Sequence, residues 1–356
     1  MVDLIRLARY QSAMKSNSAA MKDTCHVPGV SGLRKFAHVF AATVIGLLIA
    51  VLFPLEAEAT EAECMKQGFS CANLVYQGFT YPYAREDGSY LYVNGGVYPY
   101  VDVTGNLLGD STLRLPDNSV IAAAALLKAL GIPVKADDEI TPVIGFGSNP
   151  APSQLARKFQ VKKFSGDVVI PVMKGTLQDF DVVWTPVFVS YGSMPSTITP
   201  SNGTVVDVWV TWLDSEELKV MGNSEYSNTS KRPFYVRTTI AGAKYAFDGP
   251  DPDTMQVYIS CFGPLKVDGK TYAVKSVPAK GRNFPDATSS EAIEKILPAL
   301  GWKDSVLDLL YDNVVSPENR AERSTALKPY GSLPDIPGAK GLEACKASRT
   351  GNVDPY

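Results

Sequence analysis

From Ile140 onward apolar residues recur in short runs, several alternating with polar ones, and turn residues separate the runs. That is the period of strands rather than helices. It predicts strands over 143–147, 168–173, 182–191, 197–198, 205–212, 235–241 and 255–261, with a further candidate at 271–277. Short helices interrupt them at 152–159 and 214–221. Thr288-x-x-Glu291 has the form of a capping box and opens a third helix to about Leu300, with Pro298 set to kink it. Upstream, Tyr90-Leu-Tyr-Val-Asn-Gly-Gly-Val-Tyr-Pro-Tyr100 carries the Asn94-Gly95 hairpin signal between alternating residues. Its tyrosines serve either as packing for a small sheet or as an exposed aromatic face for sugar or peptide. Asp117-Asn118 before the run 120–130, with Gly131 and Pro133 after it, predicts a capped helix. Beyond Ser316 the chain turns rich in Pro, Gly and Ser, which predicts an extended tail that Cys345 is available to pin.

The longest apolar run stands apart from this pattern. Residues 36–53 carry no formal charge and follow Arg34-Lys35 directly. Arg6, Arg9, Lys15 and Lys22 outnumber Asp3 and Asp23 in the flank before it, the sign expected on the cytoplasmic side. Ala57-Glu58-Ala59 fits the small-residue rule for signal cleavage, so a signal peptide cleaved after Ala59 is favoured over an uncleaved anchor through residues 36–53. Either way the rest of the chain is expected to be extracytoplasmic, periplasmic or secreted. Four cysteines then remain, Cys64, Cys71, Cys261 and Cys345. In an oxidising compartment they are expected to form disulfides; Cys64 and Cys71 are spaced to close a small loop, but the sequence leaves the pairing open.

Composition narrows the chemistry. The 356 residues are 45% hydrophobic and carry a net charge of −3, with no basic block to bind nucleic acid. Both histidines, His26 and His38, fall in the targeting segment. The working part therefore lacks the essential member of a Ser-His-Asp or Cys-His nucleophile and of a His-ligated zinc site. Proton transfer must fall to a carboxylate, Lys, Tyr, Cys or water. Together the strands and short helices predict an α+β domain on one largely antiparallel or mixed sheet.

One segment has the local form of a binding loop. Ile144-Gly-Phe-Gly-Ser-Asn149 is a strand that ends in Gly-Ser-Asn and runs through Pro150-Ala-Pro152 into a helix. Such a loop turns free backbone amides into a common space suited to a carboxylate or phosphate. Gly175-Thr176-Leu177 with Phe180, the small-residue stretch 197–203, the strand at 206–210 and Leu218-x-x-Met221-Gly222-x-x-Glu225 follow in order. Tyr235-Val-Arg237 comes next. This succession, over residues 140–260, resembles the γ-glutamylcyclotransferase-like family, whose pattern is a Tyr-Gly-Ser-Asn loop, a Gly-x-Leu segment and a turn bearing a catalytic Glu. Phe146 stands where that family has its loop Tyr.

The resemblance implies a γ-glutamylcyclotransferase-like mixed β-sheet barrel with short helices over 140–300. Around it stand a small N-terminal α/β extension at 60–139 and a C-terminal helix and tail at 301–356. It also implies a transferase-type reaction in which the substrate's own α-amine attacks its γ-amide carbonyl and releases 5-oxoproline and an amine. Glu225 would be the general acid and base, suited to the task if burial raises its basicity. Phe146, Gly147, Ser148, Asn149, Gly175 and Leu177 would bind the γ-glutamyl substrate. No cofactor, metal or enzyme nucleophile is required. The expected partner is a small γ-glutamyl-type molecule, with no nucleic acid, and with membrane contact only through an uncleaved N-terminal segment. The competing expectation is a non-catalytic extracytoplasmic protein that binds a ligand or partner on the same scaffold. Glu216 and Glu217 are expected on a solvated helix face, Trp209 and Trp212 in the core, and Tyr245 and Tyr258 either packed or lining a pocket.

Overall fold

The computed structural model describes residues 61–356 apart from position 63 and the segments 66–68, 161–163, 226–232, 241–243, 251, 253, 351 and 354–356. The expected signal or anchor lies outside the described residues. Among these, no helix is long and apolar enough to cross a membrane.

The N-terminal extension holds α1 (Cys71–Thr80), β1 (Tyr90–Val93), β2 (Gly96–Asp102), β3 (Thr112–Arg114), β4 (Val120–Ala122) and α2 (Ala123–Ala129). Then come β5 (Thr141–Gly145), α3 (Pro152–Gln160), β6 (Val169–Trp184), β7 (Ser196–Leu213) and α4 (Ser215–Ser224). The strands β8 (Tyr235–Thr239), β9 (Tyr245–Phe247) and β10 (Gln256–Ser260) follow, with five two-residue strands between 266 and 287. Four helices close the chain: α5 (Ser289–Glu294), α6 (Val306–Val315), α7 (Pro317–Ala326) and α8 (Cys345–Arg349).

The spine is the long antiparallel pair of β6 and β7. It merges runs that the pattern had kept separate, because the interruption between them is a bulge and not a turn. Asp179 and Gly203 both adopt positive φ there, and the Gly203 amide donates to Asp179 Oδ1 at 2.8 Å. β6 stops at Trp184 and does not continue to 191, since Pro186 has no amide for the ladder. Residues beyond it pack instead under the C-terminal helices, with the Phe188 amide on Ser324 Oγ at 3.0 Å.

β5 lies antiparallel to the far half of β7, and β10 runs parallel to β5. The sheet follows the path β4-β3-β2-β1-β6-β7-β5-β10-β8. It is mostly antiparallel and open: its terminal strands β4 and β8 do not pair with each other, so the expected barrel is not formed.

Alternation along the strands divides the core between two faces. On β1, Leu91 and Val93 join the larger cluster, with Trp184 and Phe188, while Tyr90 and Tyr92 face α3 and α4 beside Leu155, Phe159, Trp209 and Met221. Those two tyrosines are thus core residues, and the hairpin turns at Asn94-Gly95, both at positive φ.

Three further expectations are corrected. Val120 and Ile121 pair with β3 as strand, because β-branched residues gain cross-strand contacts there, so the helix starts at Ala123. Pro298 ends the helix opened by Thr288 and starts a separate 3-10 turn, Pro298–Leu300. The region after Ser316 is not extended from its start: residues 317–330 are helical and only 331–341 run irregularly; Ser316 caps α7 by accepting from the Asn319 amide, and Pro317 occupies the first turn, where no amide is needed.

Two disulfides tie the chain, Cys64–Cys71 and Cys261–Cys345, of the kind that forms in an oxidising environment. The second fastens the C-terminal region to the end of β10.

Candidate functional site

The loop after β5 is built as its residue types suggest. Ser148 O accepts from the Ala151 amide, which closes a turn and leads into α3 at Pro152. The amides of Gly147, Ser148 and Asn149 have no acceptor among the described residues. Phe146 turns its ring into the core, so it contributes backbone rather than side chain. Gly147 is required by close approach: a Cβ there would lie 2.5 Å from the Tyr81 hydroxyl.

Asn149 turns toward α3. Its Oδ1 accepts from Lys158 Nζ at 2.7 Å, and the same ammonium donates to Glu225 Oε1 at 2.5 Å and to Met221 Sδ at 3.3 Å. Lys158 is 2% exposed and Glu225 15%. Helical spacing aims Lys158 inward, one turn after Leu155 and beside Phe159, both buried.

Glu225 reaches this point through α4. Asp214 and Glu217 form a reciprocal capping box at its start, and Glu225 is the C-cap three turns on. The capping box overturns one expectation, because Glu217 is fully buried. Its Oε2 accepts from the Asp214 amide at 2.8 Å and its Oε1 from the Val169 amide at 2.9 Å, across to β6. Burial pushes the Glu217 carboxyl up to about 7. Glu216 is exposed, as expected.

A layer of hydroxyls adjoins the pair. Tyr81, next to the loop at Gly147, contacts Ser196 Oγ at 2.7 Å and accepts from the Ser196 amide at 3.0 Å. Tyr235 donates to the carbonyl of the same serine at 2.9 Å. Burial pushes Tyr81 up to about 12, its bonds to Ser196 pull the other way, and the Glu225 charge adds to the rise. The Glu225 charge also helps raise Tyr258, behind the larger effect of burial. Both rings are therefore within electrostatic reach of the carboxylate.

Asn149 and Glu225, 76 positions apart, thus meet on one ammonium. Chemically the set offers a carboxylate held in place by a cation, unpaired amides able to receive an anion or oxyanion, and aromatic hydroxyls. No family model matches this chain. No curated protein matches it either.

The remaining sequence-predicted residues have structural surroundings. Gly175 pairs with Val208 and Phe247, and a Cβ there would lie 2.1 Å from the Phe247 ring. Leu177 is fully buried in the larger core cluster with Val206. Lys158, Tyr81 and Ser196 escaped the sequence reading, and Tyr235 was read there only as the start of a strand. Lys158 alone had a visible signal, a charge on the inward stripe of an otherwise apolar helical face.

Proposed function

We propose that this chain is an exported γ-glutamylcyclotransferase-like enzyme that cleaves γ-glutamyl amides by intramolecular cyclisation to 5-oxoproline. The observation that carries the proposal is the sharing of the Lys158 ammonium by Asn149 of the loop and Glu225 of the α4 C-cap. These are the two segments that the family resemblance pairs. In this reading Glu225 takes a proton from the substrate α-ammonium, and the freed amine attacks the γ-carbonyl carbon. The unpaired amides of the loop receive the developing oxyanion or the substrate carboxylate. The bond from the γ-carbon to the leaving nitrogen then breaks as Glu225 returns the proton to that nitrogen, and the second proton that the attacking nitrogen loses on becoming the lactam N–H passes through Glu225 to the departing amine, which leaves as an ammonium. Lys158 fixes one oxygen of Glu225 and leaves the other for proton transfer. The disulfides support an extracytoplasmic location, periplasmic or secreted.

The second reading, a non-catalytic binding protein on the same scaffold, draws on the same contact, since a carboxylate engaged by a sealed ammonium is a hindered base. The deciding experiment is 5-oxoproline release by the full chain from a panel of γ-glutamyl dipeptides and amines, with Glu225→Gln alongside. Release by the wild type that falls at least a hundredfold in the folded variant supports the enzyme. No release from any member of the panel refutes it and leaves the binding protein.

A further inference from the structure

Arg85 lies outside the stretch that carries the family resemblance, between α1 and β1. Its side chain is partly buried at the same end of the sheet as the loop. Nη1 donates to the Phe146 carbonyl at 3.2 Å, and Nη2 makes a long contact of 3.5 Å to the Ser276 carbonyl. The guanidinium carbon sits 4.4 Å from the centre of the Trp209 ring. Among the described residues, no carboxylate comes within ion-pair distance of it. The carboxylate that acts on it from farther off, Asp207, lies 4.0 Å from Lys174. The indole N–H of Trp209, buried below the guanidinium, has no acceptor among the described residues.

A guanidinium presents five donors in a planar fork matched to carboxylate geometry. Here carbonyls and a ring face hold the fork in place without neutralising it. Burial pulls Arg85 from its usual 12.5 down to about 10, as expected of a desolvated cation lacking a close counter-charge. The Tyr81 hydroxyl feels both charges, Arg85 lowering and Glu225 raising it, so cation and carboxylate serve one neighbourhood.

We propose that Arg85 receives a carboxylate of the bound ligand, which makes the N-terminal extension part of the substrate pocket. The identity of that ligand as a γ-glutamyl compound rests on the function proposed above; the affinity for a carboxylate does not. A γ-glutamyl peptide brings two such groups, the α-carboxylate and the C-terminus of the leaving residue, whereas a γ-glutamyl amine brings only the first.

The test uses the full chain as wild type, Arg85→Gln and Arg85→Lys. Calorimetry measures binding of glutarate, 5-oxo-L-proline and 5-oxo-L-prolinamide, the last lacking the carboxylate. Arg85→Gln is expected to weaken both carboxylates at least tenfold and leave the amide unchanged, while Arg85→Lys, with charge but no fork, falls between. Thermal midpoints confirm that each variant is folded, and the lysine variant decides if the glutamine one is not. A wild type that binds neither carboxylate, or variants that bind them as tightly as it does, overturns the proposal. Turnover of γ-glutamylglycine and γ-glutamylmethylamide then separates the sources. A tenfold rise in KM for both assigns Arg85 to the α-carboxylate, and a rise for the peptide alone assigns it to the leaving residue. Arg85-dependent glutarate binding without turnover of either substrate leaves this proposal standing and refutes the cyclotransferase.

Discussion

Replacing Lys158 with Met asks how much the contact between α3 and α4 depends on charge. The ammonium is 2% exposed and the carboxylate 15%, so water reaches Glu225 far more readily than Nζ. Breaking a sealed ion pair by removing one member costs about 3–5 kcal/mol. Glu225 keeps access to water, so Lys158→Met is expected at the low end, roughly 2–3 kcal/mol once screening is counted. Of this, about 1 kcal/mol belongs to the bond lost at Asn149 Oδ1. Glu225→Gln instead removes the carboxylate charge from the sealed ammonium, whose bonds to Asn149 and Met221 Sδ stay in place, and is expected to cost about 3 kcal/mol. If the charge contact carries these losses, the double variant falls short of their sum by about 2 kcal/mol. Urea unfolding of all four proteins, followed by tryptophan fluorescence and extrapolated linearly, measures this difference. Additivity within about 0.5 kcal/mol refutes the reasoning, because the two side chains would then be energetically independent.

Other expectations follow from separate contacts. Cys345→Ala releases a cross-link that spans 84 positions and is expected to cost about 4.5 kcal/mol from loop entropy, read as a fall in the urea midpoint; an unchanged midpoint rules this out. The fold raises the Glu217 carboxyl from 4.5 to about 7, so its contribution to stability is complete below about pH 4.5 and is lost as pH rises through 7. The loss amounts to roughly 3 kcal/mol, and Glu217→Gln should flatten that part of the stability profile; an unaltered slope refutes the assignment. Gly175→Ala drives a Cβ against the Phe247 ring and the Ala246 carbonyl, at 2.1 and 2.3 Å. A destabilisation of about 1–3 kcal/mol is expected in thermal unfolding, and an unshifted midpoint would show that β9 yields at no cost.

The legible parts of the fold were those written in local terms. The Thr288 cap, the Asn94-Gly95 hairpin and the helix after Pro152 depend on residues within a turn or two of one another. The failures share a cause in distant partners. Val120 and Ile121 have the neighbours of a helix but pair with β3. Glu217 has the spacing of a surface residue, yet it is sealed against β6 because two backbone amides need its oxygens. The region after Ser316 has tail-like composition, but α7 packs there around Arg320, whose Nη1 donates to the Asn313 carbonyl at 2.6 Å.

The sequence by itself determined the α+β character, the loop of unpaired amides after β5, the Glu at the end of α4 and cysteines suited to an oxidising compartment, because each is carried by residue type and short spacing. Only the tertiary structure decided that the sheet stays open, that Cys261 pairs with Cys345, and that Asn149 and Glu225 meet on Lys158. It likewise brought Tyr81 and Arg85 of the extension to the loop. These are encounters between segments 61 to 84 positions apart. They are set by which faces of the sheet must be covered and by which buried charges must find a partner, conditions that no local pattern encodes.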